Sequence, residues 1–382
     1  MKMNRLYLIL SVLVFLFSCK DEYNNNREKP VKPDTSYKFI ITDIKDVFGF
    51  YGQNRYSYCP SIIKEDDGTT HVYFCGNPNQ GIMVDNIYHI KINPDGTKTS
   101  AKSVLQPGAP GSWDDHHTCD PSVIAGEFKM DGKSYKYAMF FLTNKYGVYY
   151  NEIGVAFSNQ LDADEWVKYP ELLVKKTWSD DGDQILGSGG KSWGVGQPSA
   201  VSLDNKGKVL LTYTVGDISG TRIVWAQPDL SDMSSYSSVM VTSMIGSGLK
   251  NMDNSGTDYT CNSDFAVCID EDIILMVRPV QPHPNDYPAY LNVSLEVDYM
   301  KFSDFLASTG IWTPMLRITP NETKFPRNHN AGIERNEYGQ IKNWKEPVIY
   351  YTVSKAAPDV YATAGNHAEW TYHIYKGNIL EK

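Results

Sequence analysis

Lysine and arginine number 36 in this 382-residue chain, yet nowhere do they gather into a block. Nucleic acid is therefore not an expected partner, because phosphate neutralisation needs basic surface. No Cys-x-x-Cys pair occurs among the six cysteines. That argues against a zinc site and against a disulfide scaffold. No stretch carries a long helical period, which leaves nothing from which to build a helical bundle. The longest apolar run, Leu6 to Phe17, is too short and too soon polar to span a membrane as a helix. What remains has ordinary globular composition, 41% hydrophobic and 21% charged, so arrangement rather than composition must carry the information.

The N-terminus reads as an address. Lys2 and Arg5 precede the apolar run, which ends at Leu16-Phe17-Ser18-Cys19, the pattern of a secretory signal over residues 1–18. The Leu-x-Ser-Cys ending resembles the lipobox of bacterial lipoproteins, which implies lipidation at Cys19. Residues 19–36 are polar, rich in Asn, Lys and Pro, and read as a flexible tether. The acidic residues after Cys19 resemble the surface-export signal of Bacteroides-type lipoproteins. The implied place is the outer membrane, periplasmic or surface-exposed, with the membrane contacted only through the lipid. The formal charge is −9, and loss of Lys2 and Arg5 takes the mature chain to −9 − 2 = −11.

A short phrase recurs along the rest. It reads Cys59-Pro60-Ser61-Ile62-Ile63, Asp120-Pro121-Ser122-Val123-Ile124 and Gln197-Pro198-Ser199-Ala200-Val201, with looser copies at Asp264-Phe265-Ala266-Val267 and Asn330-Ala331-Gly332-Ile333. The intervals are 61, 77, 67 and 66 residues. That is too long for a solenoid coil and right for a four-stranded propeller blade with generous loops. Each phrase leads through a turn, such as Asp66-Asp67-Gly68 or Asp131-Gly132, into a return strand of alternating apolar residues. The expected fold is all-β: a five-bladed β-propeller over residues 37–382. Tyr37 to Ile41 should supply an outer strand of the last blade and close the ring, which removes exposed sheet edges. Two β-sandwich domains are the alternative.

Propeller geometry turns the repeat into a site list. Blade starts place Cys59, Asp120, Gln197, Asp264 and Asn330 around one axis. Cys59 and Cys119 stand at equivalent points of neighbouring repeats and can approach one another, so one bridge remains open. Asp120 is the leading carboxylate, because an acid opening an inner strand must be paired, hydrated or functional. Glu152, after Tyr149-Tyr150-Asn151, is the candidate proton donor, since an aromatic setting raises a carboxyl pKa. A solvated Glu at a loop end is the plainer reading. Of the adjacent His116 and His117 only one can face a site from an extended strand, and His117 is preferred for substrate contact or proton transfer. Arg278 opens a Pro-rich loop containing His283 and is suited to hold a sugar carboxylate, or else to brace the loop. Tyr58, Trp113 and Trp193 are candidate sugar platforms, although packing between blades is the commoner fate of an aromatic residue.

The blade rhythm, the Asp-Pro-Ser-Val phrase and His329-Asn330 resemble the five-bladed propeller glycosidases, the superfamily of glycoside hydrolase families 43, 32, 62 and 117. The resemblance implies hydrolysis of a polysaccharide or oligosaccharide. It requires no cofactor, and implies at most a structural calcium near His329. In family 43 the first three inner strands offer Asp, Asp and Glu. Here they offer Cys59, Asp120 and Gln197, so only Asp120 fits, and Gln197 is left as a substrate-binding residue with Asp264. Two other readings stay open: a non-catalytic glycan-binding lipoprotein, and a propeller polysaccharide lyase using His117 and Arg278.

Overall fold

The computed structural model describes residues 37–51, 53–148, 150–177, 192–217, 220–236, 241–258, 260–281, 291–354 and 371–382. The signal segment, the tether, Cys19 and His283 lie outside the described residues. Among the described residues, strands dominate and only two short α-helices occur, α1 (Phe302–Leu306) and α2 (Pro320–Thr323).

Three sheets are four-stranded and antiparallel. One comprises β6 (His117–Met130), β7 (Lys133–Asn144), β8 (Glu152–Ser158) and β9 (Val167–Lys168). The next comprises β10 (Gly194–Ser202), β11 (Val209–Asp217), β12 (Gly220–Ala226) and β13 (Val241–Ser243). The third comprises β14 (Asp264–Cys268), β15 (Ile273–Pro279), β16 (Leu295–Lys301) and β17 (Thr313–Ile318). A fourth sheet has eight strands. Half of it is β2 (Ser57–Lys64), β3 (Thr70–Gly76), β4 (Asn86–Ile92) and β5 (Lys102–Leu105). The other half is β18 (Arg327–Arg335), β19 (Val348–Ser354), β20 (His373–Glu381) and β1 (Phe39–Phe48). The halves join only where β18 and β2 run parallel, at Glu334↔Ile62 and Arg335↔Ile63. The N-terminal strand β1 pairs with the C-terminal β20, as the sequence led us to expect. The fold is β-propeller-like.

The repeated phrase has a defined backbone form. Cys59, Asp120, Gln197 and Asn330 all sit in the left-handed region, with φ of 50°, 46°, 54° and 42°. Each marks a break in the ladder to the next strand, at Tyr58/Ser61, Cys119/Ser122, Gly196/Ser199 and His329/Ala331. These are β-bulges, which take one residue out of the pairing and re-aim its side chain. The serine two positions on bonds across sheets. Ser61 Oγ accepts from Val123 N at 3.4 Å, Ser122 Oγ from Ala200 N at 2.9 Å, and Ser199 Oγ from Phe265 N at 3.0 Å.

Asp264 corrects the expected alignment. Its Oδ2 accepts from Ile333 N at 2.8 Å, so it stands where the other copies have serine. The left-handed residue of that copy is Asn262, at φ 48°. The last two intervals therefore become 262 − 197 = 65 and 330 − 262 = 68. In the fifth copy the serine position is Gly332, where a Cβ would meet Pro60 O at 2.1 Å, so the parallel junction admits only glycine.

Apolar clusters fill the space between consecutive sheets and between the two halves of the eight-stranded one. Ile124, Phe140 and Val155 meet Leu211 and Val224; Leu210 and Trp225 meet Phe265 and Met276. Leu275 and Val297 meet Ile333 and Tyr351, Ile62 and Phe74 meet Tyr350 and Ile374, and Ile63 and Ile87 meet Val123 and Met139.

Candidate active site

Three of the bulged residues, Asp120, Gln197 and Asn330, line a polar cavity of about 270 Å³ together with Tyr58, Asp85 and His117. A narrower cavity of about 40 Å³ shares Asp120, Gln197 and Asn330 with it and adds Cys59, Asn262 and Asp264. Left-handed backbone is uncommon at non-glycine residues, and three such residues on one cavity with five on its neighbour point to a site.

Burial pushes the Asp120 carboxyl up to about 7, against a thiol hydrogen bond from Cys59 that lowers it; the nearby Asp85 charge adds to the rise. Burial likewise raises the Cys59 thiol well above its usual value, with Asp120 the next cause. Asn330 Nδ2 donates to Cys59 Sγ at 2.7 Å. Asp85 is buried and meets His117 in two ways. Its backbone N–H lies 3.0 Å from Nδ1, and its Oδ2 lies 3.1 Å from the same nitrogen. The neutral ring accepts from the backbone; the imidazolium donates to the carboxylate. The Tyr58 hydroxyl lies 3.3 Å from Asp85 Oδ2 and is held protonated by burial. Two carboxyls therefore share one cavity in different surroundings, one beside a thiol and one paired with a histidine.

No protein-family model matches the chain, and no curated protein matches it. Solved structures do share its fold. One is a family 117 glycoside hydrolase of the marine bacterium Zobellia galactanivorans, with TM-score 0.55 and 10% identity, covering 91% of this chain and 92% of that one. Another is the α-L-arabinofuranosidase of Lactobacillus brevis, with TM-score 0.55 and 8% identity, covering 86% and 92%. A third is an α-L-arabinofuranosidase of Podospora anserina in complex with cellotriose, with TM-score 0.51 and 9% identity, covering 90% and 96%. At such identities the likeness is one of fold.

Among the expected site residues, Tyr58, His117, Asp120 and Gln197 line the larger cavity. Gln197 also ties two of the bulges together, its Oε1 accepting from Asn262 N at 3.0 Å. Glu152 does not line it. Its neighbour Asn151 does, and alternation along the strand sends Glu152 to the other face, where Oε1 accepts from Lys176 N at 3.1 Å. Trp113 stacks on Phe141 with centroids 6.2 Å apart and donates to Pro170 O at 3.0 Å. Trp193 lies over Gly216, where a Cβ would meet its Nε1 at 2.1 Å. Both indoles pack sheets rather than face the cavity. Asp264 reaches the narrow cavity, but its carboxylate is taken up by Ser199 Oγ at 2.6 Å and Ile333 N. Arg278 is wholly buried and bonds Asp298 Oδ2 at 2.8 Å, Glu296 Oε1 at 2.5 Å and Asp258 Oδ2 at 2.5 Å. It braces the protein and presents nothing to a ligand. His329 is buried edge-on against Tyr372 and lines neither cavity.

The disulfide joins Cys75 to Cys119, not Cys59 to Cys119. Cys75 lies on β3, with its Cα 5.1 Å from that of Cys119, while the Cys59 thiol turns to Asp120 and Asn330. Asp85 and Asn151 escaped the sequence reading. They are equivalent: each precedes by two the isoleucine, Ile87 or Ile153, that pairs opposite Cys75 or Leu142. Aligning the third strands as well as the first would have found both.

Proposed function

We propose that this chain is a five-bladed β-propeller glycoside hydrolase acting on a polysaccharide or oligosaccharide, with Asp120 and Asp85 as its working carboxyls. The observation that carries this reading is the pair of carboxyls in one axial cavity, held in opposed environments. Opposed environments are how an acid and a base are told apart within one site. Asp120, its carboxyl pushed up to about 7 by burial, gives its proton to the glycosidic oxygen. Asp85, oriented by His117 and Tyr58, takes the proton of the attacking water. Asn144 and Asn151 present amides to sugar hydroxyls. The fold shared with glycoside hydrolases supports the reading, as do the four-stranded units and their bulged inner strands. A lipid at Cys19 would hold the enzyme at the outer membrane. A structural calcium would find oxygen donors at the axis in Asn262 and Asn330, whose buried Oδ1 atoms have no protein partner, rather than at His329. Burial of Arg278 removes one of the two groups on which a lyase reading rested.

The test is turnover of a polysaccharide panel by the full chain, read as new reducing ends without the ultraviolet absorbance of an unsaturated uronate. Asp120→Asn and Asp85→Asn should each lower kcat by about 100-fold or more, the scale of positioned acid–base catalysis. Full activity in both variants would overturn the assignment. Glycan binding without products would replace it with a binding protein.

A further inference from the structure

We propose that the floor of the axial cavity, once the Cys75–Cys119 bond is opened, is a binding site for a soft divalent metal ion of the zinc class, held by Cys59, Cys75, Cys119 and Asp120. The three sulfurs and a carboxylate oxygen all lie within 4.8 Å of one another. They come from three strands, β2, β3 and β6, so no short cysteine spacing announces them in the sequence.

Two of the donor separations already bracket what such an ion needs, and the bridged sulfurs reach ligand spacing once their bond is opened. Asp120 Oδ1 lies 3.2 Å from Cys119 Sγ and 3.8 Å from Cys75 Sγ. A tetrahedral ion with metal–sulfur bonds of about 2.3 Å and metal–oxygen bonds of about 2.1 Å sets that separation near ~3.6 Å. Two of the sulfurs have a polar donor beside them, and a hydroxyl stands near the third. Asp120 N donates to Cys75 Sγ at 2.8 Å, Asn330 Nδ2 donates to Cys59 Sγ at 2.7 Å, and the Tyr58 hydroxyl stands 3.1 Å from Cys119 Sγ. Donors to sulfur stabilise thiolates and offset the negative charge of a three-thiolate, one-carboxylate set. The same soft donors select a thiophilic ion over calcium or magnesium.

The disulfide is opened by a phosphine reductant. The S–S bond takes up two electrons and two protons to give two thiols, and the phosphine takes an oxygen from water. On metal binding the thiol protons leave to solvent as each sulfur bonds the ion. An ion bound there occupies the Asp120 carboxylate, so metal loading and proton donation by Asp120 exclude one another. The site itself does not rest on the hydrolase reading, because metal binding is measured without substrate.

The full chain, reduced with a phosphine and checked for native far-ultraviolet circular dichroism, is titrated with Zn²⁺ against a chromophoric chelator and with Co²⁺ as an optical probe. Reduced wild type should take up one more equivalent of Zn²⁺ than the disulfide form and show a sulfur-to-cobalt charge-transfer band. Cys59 is outside the disulfide, so Cys59→Ser leaves the oxidised fold intact; it should bind at least about 100-fold more weakly and lose band intensity. Asp120→Asn should keep the band and weaken binding by about 10-fold or more. The proposal is overturned if reduced wild type gains no equivalent, if Cys59→Ser binds as tightly as wild type, or if reduction abolishes the native fold.

Discussion

His71 and His89 stack 5.1 Å apart within the first four-stranded half-sheet, with Nδ1 of His71 2.9 Å from Nε2 of His89. The other nitrogen of His71 meets Glu65 at 3.0 Å. Both rings are buried, and the bond between them needs one nitrogen to give and the other to accept. Burial holds His89 down to about 3, with the charge of His71 opposing its protonation further, and burial lowers His71 as well. The consequence for stability has a definite sign. An unfolded histidine takes up a proton below about 6.5. Folded His89 refuses it until about 3. Stability is therefore intact above about pH 6.5 and is lost as pH falls toward 3. Between pH 7 and pH 5, His89 alone accounts for a loss on the order of 2 kcal/mol. Urea unfolding at those two pH values should show it. His89→Gln should be less stable at pH 7 yet lose about 2 kcal/mol less on acidification. Parallel losses in the two proteins would refute this account.

At the scale of the element, the serine of the repeated phrase matters more than its proline. Ser122 Oγ accepts from Ala200 N at 2.9 Å and from Arg335 Nη2 at 3.0 Å, both buried. Ser61 Oγ accepts from Val123 N at a longer 3.4 Å. Ser122→Ala strands an amide and a guanidinium arm, and should cost about 3 kcal/mol; Ser61→Ala should cost about 1 kcal/mol. Denaturant midpoints at unchanged m-value give the order, and a Ser61→Ala cost equal to or above that of Ser122→Ala would defeat it. The same phrase shows what the sequence made legible. Period-2 strands, Asp-Gly turns and the spacing of the phrase revealed the four-stranded units and placed Asp120. The hairpin at Asp131-Gly132 is one case, with φ of 52° and 75° between the paired Met130 and Lys133. The fourth copy was misaligned by two residues because a carboxylate does a serine's work at Asp264, which no residue-type match reveals. Glu152 was placed one residue away from the cavity-facing Asn151, and one residue reverses the face of a strand. Arg278 looked like a ligand-binding arginine because its three acidic partners lie 20, 18 and 20 residues away in sequence and only the fold brings them together.

The whole molecule is tied by its ends. Strand β1 covers the edge of β20 and buries Phe39, Ile41 and Val47. Phe39 and Ile41 join the cluster shared with β14 to β16, while Val47 joins the cluster shared with β2 and β3. One strand thus reaches the neighbouring β14–β17 sheet and the other half of its own. Its three apolar side chains contribute roughly 5–8 kcal/mol on burial, a large share of a domain's ~5–15 kcal/mol. Removing residues 37–48 would also bare the β20 edge to pairing with other chains. If the sheets form one cooperative circuit, the loss must spread to sheets that β1 never touches. Hydrogen exchange in the truncated chain should then rise in β10 and β11 as well as in β18 to β20, with a single urea transition at a lower midpoint. Two independent sandwich domains would behave otherwise: β10 and β11 would keep their protection while β18 to β20 lost theirs. Retained protection in β10 and β11 would therefore refute the circuit and, with it, the expectation that Cys59, Asp120, Gln197 and Asn330 are held around one axis by the molecule as a whole.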